Sequence, residues 1–207
     1  MTEVYGSPYA NNIRNMSNSE VVSLAKNRFT DSETQLAIAK HWYKLAKTYL
    51  AENPKITPEA AQVLWDHKGY VLKTLLMSRG TYEASPEEQR NIYHKYFKGK
   101  PHRNYRMMQA FLGKHSWWGS GGSNDTPSEL IQEIYDDYEF DDQHGTIYDL
   151  KRFLQHDNCP LEVALKIGTI KTPEGNRHWY ANQYENLRNQ AMLKVAEITK
   201  RESGISR

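Results

Sequence analysis

The sequence predicts an all-α protein: an α-solenoid of about five degenerate helical-hairpin repeats with a C-terminal capping helix. Three observations carry that prediction. A signal that stops one helix and starts the next recurs along the chain, and the apolar residues after each start keep helical spacing. No stretch shows sustained two-residue alternation flanked by hairpin turns.

In chain order, residues 1–16 read as a flexible leader, polar and carrying Gly6 and Pro8. The repeat array spans residues 17–168. Its first signal runs from Leu24-Ala25-Lys26-Asn27 to Thr30-Asp31-Ser32-Glu33, and its second from Leu50-Ala51-Glu52-Asn53 to Thr57-Pro58-Glu59. A third runs from Leu76-Met77-Ser78-Arg79-Gly80 to Ser85-Pro86-Glu87-Glu88. The fourth joins Phe111-Leu112-Gly113 to Thr126-Pro127-Ser128-Glu129, and the fifth joins Phe153-Leu154-Gln155-His156 to Cys159-Pro160-Leu161-Glu162.

Thr30, Thr57, Ser85 and Thr126 stand where a hydroxyl would take an orphan helix-end N–H, and Pro58, Pro86, Pro127 and Pro160 occupy the first helical position. Glu33, Glu88, Glu129 and Glu162 have capping-box spacing. Successive caps lie 27, 28, 41 and 33 residues apart, which defines a unit of about 27 residues expanded twice. The expanded loops fall at residues 97–104, 115–125 and 136–146. Short helix pairs at this period must stack to bury their apolar faces. Residues 169–202 then supply a turn and a capping helix striped by Tyr184, Leu187, Ala191, Val195 and Ile198, and residues 203–207 read as a frayed tail. An irregular helical bundle is the competing architecture.

The string Leu50-Ala51-Glu52-Asn53-Pro54-Lys55-Ile56-Thr57-Pro58-Glu59 resembles the consensus of leucine-rich-repeat-variant proteins, short all-helical repeats akin to HEAT arrays. The resemblance covers roughly residues 17–168, with the second copy the close one. It implies a scaffold that binds proteins or nucleic acid. Some members carry a cysteine-rich iron–sulfur segment, which a chain with Cys159 alone does not reproduce. The Tyr- and Asn-rich style also resembles bacteriophage gene products, and a phage origin would allow association with a virus particle.

Composition narrows the function classes. Leu, Ile, Val and Phe total 39 residues, about 19% of 207, while 14 Tyr and 5 Trp supply apolar bulk and the formal charge is only +2. A histone-like, acidic-tail or collagen-like chain is excluded. One cysteine forbids an intramolecular disulfide and points to a cytoplasmic, reducing compartment. No apolar run reaches the ~20 residues of a membrane span, so no membrane partner is expected.

The +2 conceals a separation of charge. Residues 89–124 hold seven basic residues and no acid; residues 125–150 hold nine acids and no Lys or Arg. Lys98, Lys100, Arg103, Tyr105, Arg106, Trp117 and Trp118 are therefore the expected contacts for a protein partner or for nucleic acid, since cations that track phosphates and aromatic faces that stack on bases are what a single strand requires. Asp136, Asp137, Glu139, Asp141 and Asp142 form the expected acidic partner surface. Mutual neutralisation of the two blocks is the alternative. The acidic run fails calcium-loop register, because Asp142 stands where glycine is required.

No catalytic residue, metal ligand or cofactor is expected. The eight histidines form no metal-ligand pair, and Cys159 before Pro160 reads as a small residue at a helix start. Some HEAT-like arrays act on DNA bases, and Trp117 or Trp118 with Asp125 would be the nearest analogue. The leading reading is a non-catalytic adaptor for a protein partner. Nucleic-acid binding through residues 90–118 is the alternative, and a base-acting enzyme is a distant third.

Overall fold

The computed structural model describes residues 7–99, 105–113, 125–138, 144–172 and 178–204. Among these, all regular structure is helical. The chain divides into two compact units, the first ending at Ala84 and the second beginning at Ser85.

The first unit contains α1 (Pro8–Asn12), a 3-10 turn (Ile13–Asn15), α2 (Asn18–Lys26), α3 (Ser32–Lys40), α4 (Lys44–Ala51), α5 (Pro58–Trp65) and α6 (Tyr70–Arg79). Within it α1 packs on α3, α2 on α4, α3 on α5 and α4 on α6. The even-numbered helices thus lie side by side, as do the odd-numbered ones. Val21, Ala25, Ile38, Leu50, Leu64 and Leu76 are fully buried between the two rows. Residues 7–16, read from sequence as leader, are tied down here. The Ser7 N–H donates to Glu33 (2.6 Å), its hydroxyl donates to Asp31 (2.8 Å), and Ile13 is buried.

Two buried side-chain amides fasten the turns of this unit. Asn53 donates to the carbonyls of Ala25 (2.9 Å) and Asn27 (3.1 Å), and its Oδ1 accepts from the Lys55 N–H (3.0 Å). Gln35 donates to the carbonyls of Thr30 (2.8 Å) and Lys55 (3.1 Å), and its Oε1 accepts from the Thr57 N–H (2.8 Å). Asn27 repeats the Asn53 role one turn earlier, accepting from the Phe29 N–H at 3.0 Å.

This geometry moves one cap. The α3 cap is Asp31, which accepts from the Thr34 N–H at 2.8 Å, while the Thr30 hydroxyl donates to the Leu24 carbonyl at 2.6 Å. Asp31 is therefore the counterpart of Thr57, and the spacing is that of Asn27 to Asn53, 26 residues. Thr57 caps α5 with Pro58 next, as the sequence predicts.

The second unit contains α7 (Pro86–Tyr96), α8 (Tyr105–Leu112), α9 (Ser128–Asp136), α10 (His144–Gln155), α11 (Leu161–Gly168) and α12 (His178–Glu202). Here α8 packs on α10, α9 on α11, and α12 on both α10 and α11. Ser85 and Glu88 form the predicted capping box of α7. Pro127 and Pro160 stand one position earlier than predicted, at the N-caps of α9 and α11. Asn158 repeats the amide bridge by donating to the Thr126 carbonyl at 3.1 Å, and His156 Nδ1 accepts from the Asn158 N–H as Asn53 does from Lys55.

Aromatic rings supply the core that a shortage of aliphatics leaves open. Phe111 is met edge-on by Tyr93 (6.0 Å) and Phe97 (6.3 Å), and Phe153 by Tyr135 (5.2 Å) and Tyr138 (6.2 Å). In the first unit Trp65 stacks on Tyr82 at 4.1 Å beneath Lys73.

Replacing Asn53 with Ala leaves the Ala25 carbonyl and the Lys55 N–H without this partner and leaves the Asn27 carbonyl with the Thr30 N–H alone. Urea unfolding of the full chain should show a loss of about 2–3 kcal/mol. Gln62→Ala, on the exposed face of α5, should change stability by less than about 0.5 kcal/mol.

Candidate functional site

The boundary between the basic and acidic blocks is the site the sequence singles out, and its described part is internally paired. Tyr93 and His94 on α7, with Lys98 just beyond its end, face Glu133 and Asp137 from α9. His94 Nε2 lies 2.9 Å from Glu133 Oε2, Lys98 donates to Glu133 Oε1, and the Tyr93 hydroxyl donates to Asp137 at 2.7 Å. Partial burial pushes the Glu133 carboxyl upward, but the hydrogen bonds and charges of His94 and Lys98 outweigh it and hold the group below its ordinary range. Burial, reinforced by Asp137, pushes the Tyr93 hydroxyl far up, so it stays a donor.

One turn on, Asp136 accepts from Lys166 of α11 at 2.9 Å, and Lys166 also meets Glu162 at 2.8 Å. The Gln132 hydrogen bond, and then Lys166, hold Asp136 below its ordinary range. Two of the expected acidic residues therefore have partners within the unit. Lys100, Arg103, Trp117, Trp118, Glu139, Asp141 and Asp142 lie outside the described residues, as do the side chains of Tyr105 and Arg106.

Cys159 has the opposite of a nucleophile's environment. It is buried just before α11, and burial pushes its thiol up to about 11. No group of three or more His, Cys, Asp or Glu among the described residues could hold a metal ion, and no described helix is long and apolar enough to cross a membrane.

Two surfaces stand out that the sequence reading passed over. The first is a set of exposed apolar side chains on two packed helices of the second unit. Of the predicted α12 stripe, Tyr184, Leu187, Ala191 and Ile198 are buried and Val195 is half-buried. Beside it Met192 is 55% and Leu193 72% exposed. Met192 Sδ reaches to 3.5 Å from where a Cβ on Gly168 would stand, which places it over the end of α11, and Leu165, one turn back on α11, is exposed too. The signal was present in Met192-Leu193, two apolar residues outside the stripe.

The second surface lies where α4 and α6 begin. Lys47 is buried, and its partner is the His67 ring, with Nζ 2.6 Å from Nε2. Burial lowers the Lys47 ammonium from its ordinary value. His41, only 5% exposed, accepts the Tyr43 N–H on Nδ1 (3.3 Å), and its Nε2 is buried with no partner. Burial first, and then the charge of Lys47, lower the His41 imidazole. Its neighbour Trp42 is 70% exposed. The sequence signal was Lys40-His41-Trp42-Tyr43-Lys44, a helix start with lysine where an acid usually stands.

No protein-family model, curated protein or solved structure matches this chain.

Two pH responses follow. The folded value of His41 lies below its unfolded value of about 6.5, so the unfolded chain takes the proton first and stability falls as pH drops through about 6.5. His41→Asn keeps an acceptor for the Tyr43 N–H, as Asn27 and Asn53 do in their turns, and should flatten the urea-midpoint profile between about pH 7 and pH 5. Glu133 is held low, so its contribution is present above about pH 4.3 and is lost as pH falls through the folded value. Glu133→Gln should remove that acid-sensitive part, with a change at neutral pH under about 1 kcal/mol because the pair is partly solvated.

Proposed function

We propose that this chain is a non-catalytic binding protein, a helical-repeat scaffold of the α-solenoid kind that engages a protein partner. The observation that carries the reading is the exposure of three large apolar side chains on packed helices, Leu165 of α11 and Met192 and Leu193 of α12. Exposed apolar side chains on packed helices suit a partner's apolar face, and methionine adapts to it without a fixed shape. The next-but-one packing within each unit supports the scaffold reading, because each helix then rests on its neighbours and its outer face is left for binding.

The pairing of Lys98 and His94 with Glu133 favours internal neutralisation at that point of the basic segment over contact with phosphate. The buried, unactivated thiol of Cys159 fits a structural role in a reducing, cytoplasmic setting. A phage origin rests on composition alone.

Affinity capture from cell lysate should recover a stoichiometric protein with the wild-type chain and lose it with Leu165→Asp/Leu193→Asp, at two exposed positions, with an unchanged thermal melt showing that the variant is folded. Equal recovery by the variant would remove this surface. Loss instead with Trp117→Ala/Trp118→Ala would move the contact to residues 115–125.

A further inference from the structure

α12 closes the second unit and packs on α10 and α11. Opposite its buried stripe runs a second row, Asn182, Asn186, Asn189, Leu193, Ala196 and Lys200, and all six are exposed. Their spacing alternates between four and three residues, the pattern that keeps one helix face turned toward a partner helix along its length. Met192, also exposed, borders the row. In a chain of which 25% is charged, this helix shows no exposed charge between Glu185 and Glu197. The two charged residues within that stretch are tied into the unit. Arg188 donates to the Ile170 carbonyl (3.2 Å) and to the Thr172 hydroxyl (3.2 Å), and Lys194 is buried and pairs with Glu197 at 3.0 Å. Depletion of charge at the centre of a patch, with methionine present, marks the core of an interface.

The charges at the two ends of the face identify what covers it. Glu185 and Lys200 are both exposed, and among the described residues neither side chain has a partner. They are opposite in sign, and their midpoint along the chain falls between Met192 and Leu193. An identical helix laid antiparallel across that midpoint sets Glu185 of each copy beside Lys200 of the other, and Leu193 beside Met192. A parallel arrangement sets like charge on like. The face is thus complementary to itself under a twofold rotation, which is the condition for an isologous dimer.

We propose that two copies of this chain pair antiparallel through the outer faces of α12, with Met192 and Leu193 at the centre and two Glu185–Lys200 ion pairs at the ends. The inference rests on the protein-partner reading of α11 and α12 and names the partner. Asn186 and Asn189, between centre and end, can both donate and accept, so they are buried at less cost than charges. From Asn182 to Lys200 the face is about 27 Å long. One helix face of that size buries an area at the low end of specific interfaces, under about 1,200 Å². The pairing is therefore reversible and depends on concentration.

Sedimentation velocity of the full chain from about 1 to 100 µM tests the proposal. The wild type should pass from monomer to dimer, and Leu193→Asp should stay monomeric throughout. Glu185→Lys and Lys200→Glu should each weaken self-association about tenfold, since each sets like charges face to face. An equimolar mixture of these two variants should dimerise as the wild type does, because every cross pair then joins opposite charges. The three positions are exposed, and coincident thermal melts would show the variants folded.

A monomer at the highest concentration would overturn the proposal. So would a dimer that Leu193→Asp leaves intact, charge variants that associate as the wild type does, or a mixture no tighter than its components. The protein-partner reading stands or falls separately. A monomeric chain that still recovers another protein from lysate through Leu165 and Leu193 keeps that reading and removes the second copy. A dimer instead recovers untagged chain from cells that make both forms.

Discussion

The first unit depends on two buried side chains, Gln35 and Asn53, whose amides tie successive inter-helix turns together. Burying an amide without partners costs several kcal/mol, about 2–7 depending on the reference, while each hydrogen bond made returns only about 0.5–1.5. The arrangement is stable because each amide makes three bonds to backbone groups of the helix ends and turns. The bonds are specific in register. A slip of one residue in either turn would break all three, so the amides fix how α2, α3, α4 and α5 stack in a way that small, apolar Ala and Leu contacts alone would not. Asn158 does comparable work in the second unit.

Much of this fold was legible, because helix starts are written in local chemistry. Thr57 with Pro58, and Ser85 with Glu88, act as their types and spacing require. The first start was misplaced by one residue because Thr30 and Asp31 are both capable caps, and only the buried bond from Thr30 to the Leu24 carbonyl decides between them. The prolines at 127 and 160 precede their helices for a related reason. Nothing local distinguishes an N-cap proline from one at the first helical position, since both leave the same orphan N–H groups to be met elsewhere. The docking of residues 7–16 was illegible, since it rests on Ser7 reaching Asp31 and Glu33, a contact between distant segments of polar residues.

The candidate sites divide the same way. Segregated charge was visible in the sequence, but its use was not: Glu133 lies among acids in the chain and among His94 and Lys98 in space. The edge where α4 and α6 begin carries no motif in the sequence, because its mark is a missing side-chain cap and a missing acid. Such departures from local preference have a stability cost, and they persist where another requirement outweighs it. The rigid turns link this edge to the fold. α4 starts at the edge and ends at the turn where Asn53 is fastened, so the amide network fixes the helix that Lys44 opens.

The most direct measurement of that link is native-state hydrogen exchange of the Lys55 and Thr57 amides, which donate to Asn53 Oδ1 and Gln35 Oε1. If the two side chains govern the first unit, both amides exchange only through its global unfolding, with the same denaturant dependence as core amides such as Leu64. Exchange by local fluctuation, fast and insensitive to denaturant, would contradict the account.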